Sequence, residues 1–240
     1  MRPSLSALLL FLSCTAPVAA QQVTTRDWTD EQGVRWTETT TVEVVEEEPG
    51  NERVVGISDA PDVKAVAHFG PFAVIDGTRA ALVAETDSLS PADFAAMLRA
   101  YPGIRTLELV DCPGTVDDTA NLRLGRMIRA AGIATDVPPG GSVRSGAVEL
   151  FLAGARRSAA PDAEFAVHAW LDEDGRQPQD FAHDAPVNRA YIGYYREMGM
   201  APAQAVAFYA LTNSVPNRQV LWLHTPDVAR YAALESPSGS

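Results

Sequence analysis

The stretch GGSVRSGAVELFLAGARR, Gly140 to Arg157, followed by the strand-like FAVHAW, Phe165 to Trp170, decides how this chain is read. The apolar members of Val148 to Leu152 suit a buried helix ending near Gly154, with the small Gly146 and Ala147 leading into it. Ser145 therefore stands at a helix mouth. Backbone N–H groups there lack intrahelical partners and the dipole favours negative charge, so the place suits a nucleophile whose attack creates an oxyanion. Serine is also a common N-cap, which is the more frequent use of a serine at such a place, and a histidine on a strand is often structural. From these residues alone Ser145 stays open between cap and nucleophile.

A third element lies upstream in TLELVDCPGTVDD, Thr106 to Asp118. An apolar strand, Thr106 to Val110, runs into Cys112-Pro113-Gly114-Thr115, which reads as a tight Pro-Gly turn, and a helix starts at Asp117 and Asp118. Strand, turn and helix N-terminus together make a second anion-friendly nest.

Around these motifs strands and helices alternate. Val63 to Phe69, Phe72 to Ile75 and Ala80 to Ala84 read as strands. Ser90-Pro91-Ala92-Asp93 reads as a helix start with a serine cap, and Pro102-Gly103 stops that helix near Tyr101. Asn121, Leu122, Leu124, Met127 and Ile128 give the next helix its stripe. Such alternation predicts an α/β domain with a mostly parallel sheet. Leu171 to Ala185 is a polar loop, open between a cover for the site and a solvated connector. Helices are expected over Pro186 to Met198 and Pro202 to Thr212, where Tyr191, Tyr194, Tyr195, Phe208 and Tyr209 recur at helical spacing and read as core. His183 and His224 read as surface or turn residues.

The order of these elements resembles the Clp protease proteolytic subunit and, more widely, the ClpP/crotonase superfamily. CPGT stands where that family has SPGG, SGAVELFLAG where it has a serine followed by an apolar helix and AG, and FAVH where it has the strand carrying its histidine. The Ser145 to His168 separation is close to the family's. The resemblance covers about Val63 to Leu234, and the segment is closer still to predicted periplasmic members of the superfamily. It implies a ClpP/crotonase-like fold of repeated ββα units with C-terminal helices. It also implies Ser145 as nucleophile, His168 as general base, and the N–H groups of Thr115 and Gly146 as oxyanion hole.

Two positions depart from the pattern. Thr115 replaces the family's second glycine, which restricts how its N–H turns. Val220 stands at the place of the family's acid, so the third member is sought at Asn217 and Asn213, whose amide oxygens can accept an imidazole Nδ1 proton, with Asp172 and Asp174 as fallbacks.

The first twenty residues, with one arginine, an apolar run from Ala7 to Leu12 and Val18-Ala19-Ala20 before Gln21, read as a cleaved signal peptide. A periplasmic or secreted protein follows from it, with lipidation at Cys14 the less favoured alternative. Residues 21–62 are polar and acidic, a tether or a marginal hairpin turning near Gln32-Gly33, with Trp28 and Trp36 capping it. The ClpP-like domain spans 63–235, and 236–240 is a flexible tail. Once the signal is removed Cys112 is the one cysteine, so no intramolecular disulfide forms. A net charge of −12 without a basic stripe argues against nucleic-acid partners. No later segment suits a membrane span, and no metal, dinucleotide or nucleotide motif is present, so no cofactor is expected.

The leading expectation is an ATP-independent, peptidase-like serine hydrolase acting on a peptide or ester. The alternatives are a non-catalytic binding module on the same fold and crotonase-type thioester chemistry, which export disfavours because coenzyme A is cytoplasmic. Relatives in the superfamily assemble into rings or trimers, so a homo-oligomer is expected, with the helices from Pro186 to Thr212 offering a face.

Overall fold

The structure is a computed structural model that describes residues 21–29, 35–44, 53–54 and 63–235. The signal peptide, Cys14, the Gln32-Gly33 turn and the 236–240 tail lie outside the described residues. Strands β1 (Gln21–Thr29) and β2 (Arg35–Val44) pair antiparallel with Trp28 opposite Trp36, and β3 (Arg53–Val54) follows. β4 (Ala67–Phe69), β5 (Phe72–Val74) and β6 (Arg79–Leu82) form an antiparallel meander, all three shorter than the sequence suggests.

Helix α1 (Ser90–Ala100) ends at Tyr101 as expected, but Ser90 does not cap it. Asp87 does that work instead. Its Oδ1 accepts from the Leu89 and Ser90 N–H groups and from the Ser90 hydroxyl, because a carboxylate three residues upstream reaches the exposed first-turn donors better than a serine already inside the helix.

Three strand pairs with their helices come next. They are β7 (Thr106–Leu109) and β8 (Asp111–Cys112) before the short β9 (Gly114–Thr115) and α2 (Asp118–Ala130), then β10 (Ala134–Val137) and β11 (Ser142–Arg144) before α3 (Ala147–Ala153), then β12 (Arg157–Ala159) and β13 (Glu164–Val167). Helices α4 (Pro186–Glu197) and α5 (Pro202–Thr212), strand β14 (Gln219–His224) and α6 (Thr225–Ala229) complete the described chain.

The expected α/β fold with parallel strands and helices is present, and among the described residues it contains two six-stranded sheets. Their orders are β12-β10-β7-β6-β5-β4 and β1-β2-β14-β13-β11-β8. Each pair sends its first strand to one sheet and its second to the other, so β6, β7, β10 and β12 are parallel neighbours and β8, β11 and β13 are parallel neighbours. β14 then adds antiparallel to β13, and β2 to β14. This α/β arrangement of repeated ββα units places the C-terminal ends of β8, β11 and β13 side by side.

The core explains the helices. All seven residues of α3 are buried, as apolar Val148, Leu150, Phe151 and Leu152 require, and each such side chain contributes roughly 1.5–3 kcal/mol by leaving water. Tyr191, Tyr194, Tyr195, Phe208 and Tyr209 are buried too. Trp170 stacks on Tyr191 and donates its indole N–H to the Tyr209 hydroxyl at 2.8 Å, which donates to Asn188 Oδ1 at 2.7 Å. These rings belong to the interior, so self-association through α4 and α5 has only their outer faces to use. Among the described residues no helix is long and apolar enough to cross a membrane.

Candidate active site

β11 lies between β13 and β8, with Arg144 in register with Ala166 and Val143 with Cys112. One residue beyond β11 is Ser145, one beyond β13 is His168, and three beyond β8 is Thr115. The strand order therefore puts the serine centrally, with the histidine strand on one side and the Thr115 strand on the other. Ends of parallel strands are where α/β folds place their sites.

The serine is bent into its position. Ser145 has φ 51°, the only non-glycine with positive φ among the described residues, and its N–H is held by Ala166 C=O at 2.7 Å. A left-handed serine between a strand and a helix stores strain of about 1–3 kcal/mol and aims its hydroxyl out of the turn. The hydroxyl is buried and makes no hydrogen bond among the described residues. That decides between the two uses of a serine at a helix mouth: Ser145 Oγ caps nothing. It also means that the serine–histidine hydrogen bond is not formed in this state.

Gly146 opens α3, so its N–H has no intrahelical partner. A Cβ there would lie 2.5 Å from Thr115 Cγ2, so only glycine lets the serine turn and the Thr115 strand approach this closely. Cys112-Pro113-Gly114-Thr115 is extended, not a tight turn. Thr86 N–H donates to Gly114 C=O at 3.0 Å, and Val116 N–H donates to Thr86 C=O at 2.9 Å. Because N–H and C=O alternate sides along a strand, the Thr115 N–H faces the other way, onto β3, where Arg53 is its antiparallel partner.

Asn121 belongs to this site, not to an apolar stripe on α2. Its Nδ2 donates to Gly146 C=O at 2.6 Å and its Oδ1 accepts from the Thr86 hydroxyl at 3.0 Å, all three residues being buried. The readable signal was an amide among the inward positions of an amphipathic helix. Arg144 was also passed over. It is 1% exposed and donates to Asp111 Oδ1 and Ser142 Oγ, each at 2.7 Å, bracing β11 against β8. Cys112 is beside the site in sequence but sealed in the core, and burial pushes its thiol well above the ordinary range, so it is no nucleophile.

His168 is buried, with Nδ1 3.0 Å from the Ala169 carbonyl oxygen and 3.2 Å from Asn217 Nδ2. Asn217 Nδ2 in turn donates to Ala169 C=O at 2.9 Å. Asn213 is elsewhere, its amide donating to Tyr209 C=O at 2.6 Å at the end of α5. Asp172 and Asp174 both pair with Arg176 within their own loop. Val220 is packed with Ala166, so no carboxylate stands at that strand position.

Fold and site together define an α/β protein with a strained serine between parallel strand and helix, flanked by a histidine. No family model matches the chain, and no curated protein matches it. Solved structures similar to it include a ClpP1 variant from Listeria monocytogenes, 15% identical over 67% of this chain and 91% of that one with a TM-score of 0.49. The catalytic domain of the ClpP protease from Plasmodium falciparum is 12% identical over 67% and 84%, with a TM-score of 0.48. A 1510-N membrane protease specific for a stomatin homolog from Pyrococcus horikoshii is 14% identical over 66% and 71%, with a TM-score of 0.43.

Proposed function

We propose that the protein is a serine hydrolase, peptidase-like and ATP-independent, working by acyl transfer. Ser145 Oγ attacks a carbonyl carbon, His168 Nε2 takes the hydroxyl proton and returns it to the leaving group, and water then releases the acyl group by the same route. Gly146 N–H is the immediate oxyanion donor, and Thr115 N–H joins it when β3 yields. The observation that carries this reading is the left-handed Ser145, its buried hydroxyl unpartnered among the described residues, at the strand ends that His168 and Thr115 flank. Crotonase chemistry leaves the strained serine without a use.

A second reading, a binding module without catalysis, draws on Val220 in place of an acid and on the Thr115 N–H that faces β3. A fluorophosphonate probe separates the two: labelling that Ser145→Ala and His168→Ala each abolish supports the hydrolase, and an unlabelled wild-type protein supports the binding module. Export on the signal-like first twenty residues and assembly into a homo-oligomer are part of the same proposal. They are tested by the compartment in which the chain is recovered and by light scattering.

A further inference from the structure

The imidazole of a serine–histidine pair must be held in one tautomer, since Nδ1 must carry the proton for Nε2 to offer its lone pair. The geometry points to a main-chain carbonyl in that role: Ala169 C=O accepts from His168 Nδ1–H, and Asn217 is the positioning residue that holds this carbonyl in place. The inference rests on the hydrolase reading and names the third partner of its dyad.

The argument is one of matching donors to acceptors. Ala169 O lies 3.0 Å from Nδ1 and 2.9 Å from the Asn217 amide. A carbonyl oxygen that close to an unprotonated ring nitrogen would set two lone pairs against each other, so the proton belongs on Nδ1. The amide group has the same constraint. Turned over, Asn217 would bring Oδ1 to 2.9 Å from a carbonyl oxygen, acceptor against acceptor; as it stands, both the imidazole and the amide donate to a single carbonyl with two lone pairs. Asn217 therefore acts as a donor to the carbonyl and does not accept the imidazole proton itself.

The surroundings hold that peptide on both sides. Ala169 N–H donates to Val215 C=O at 3.1 Å, so the segment between α5 and β14 grips Ala169 at its N–H through Val215 and at its C=O through Asn217. Asn217 N–H is itself fixed by Gln177 Oε1 at 2.8 Å, from the polar loop after β13. The loop thereby contributes to imidazole placement through Asn217.

The test is the tautomer of His168, read from its ring nitrogens by ¹⁵N NMR on the full chain, beside fluorophosphonate labelling rates. The neutral ring should carry its proton on Nδ1. Asn217→Ala should mix the tautomers and slow labelling tenfold or more, within the roughly 10²–10⁴-fold that a general base supplies, at a temperature where its unfolding curve shows the variant fully folded. Asn217→Asp should label no faster than wild type, because a carboxylate there opposes the carbonyl. A proton on Nε2 in the wild-type protein, or an Asn217→Asp variant that labels faster, overturns the inference while leaving the hydrolase intact. A protein that never labels but holds the Nδ1 proton sinks the hydrolase reading and leaves the carbonyl contact standing.

Discussion

Replacing Ser145 separates the two strains this residue carries. Its φ of 51° costs an L-residue about 1–2 kcal/mol that glycine escapes, while glycine gives back roughly 0.5–1 kcal/mol in backbone entropy. Its hydroxyl is buried without a hydrogen bond among the described residues, a desolvation cost of about 1–3 kcal/mol that Ser145→Ala and Ser145→Gly both remove. Stability should then rise in the order wild type, Ser145→Ala, Ser145→Gly. The last step, caused by φ alone, should be worth on the order of 0.5–1 kcal/mol, or roughly 1–4 °C in a domain of this size. Urea unfolding with matched m-values measures it, and both variants should lose probe labelling. A Ser145→Gly protein no more stable than Ser145→Ala would refute the stored strain, and a Ser145→Ala protein less stable than wild type would show that the hydroxyl has a partner after all.

Gly146→Ala should cost about 1–3 kcal/mol through overlap with Thr115 and cut labelling sharply, as thermal unfolding and probe kinetics would show; near-neutral behaviour would mean that the Thr115 strand can withdraw. Asn121→Leu removes the hydrogen bonds to Gly146 C=O and from the Thr86 hydroxyl, each worth about 0.5–1.5 kcal/mol, so it should destabilise by roughly 1–3 kcal/mol and slow ester hydrolysis more than it changes KM. Cys112 should resist alkylation in the native protein. Because burial keeps its thiol protonated where the unfolded chain has begun to ionise, the folded state binds more protons at alkaline pH, and stability should fall as pH rises past about 9, less steeply in Cys112→Ala.

Local signals carried much of the architecture. The start of α2 at Asp117 and Asp118, the apolar run of α3 and the aromatic repeat of α4 and α5 all rest on short-range signals, and the structure has each where the pattern puts it. The division into two sheets was not legible, because Val110 and its counterparts between paired strands look like ordinary strand residues; only long-range pairing shows that the chain changes sheet there. Cys112 to Thr115 misled for a related reason. Pro-Gly is a turn signal, but parallel pairing to Thr86 draws the backbone straight. The roles around His168 depend on which amide atom faces a carbonyl, and no residue spacing encodes that.

Under the proposed function, the strand of Arg53 and Val54 on Gly114 and Thr115 makes the chain a competitor for its own site. An extended peptide that pairs with β9 in the same way must first lift away a segment tethered to the same molecule, present at an effective concentration on the order of millimolar however dilute the protein. The contest is not lopsided, since a two-residue strand contributes few backbone hydrogen bonds, each worth about 0.5–1.5 kcal/mol net. Long peptides can outbid it through additional contacts, whereas a small activated ester, needing only Gly146 and the serine, does not have to compete at all. If the proposed hydrolysis holds, selection by length follows from an edge strand that the molecule fills with itself.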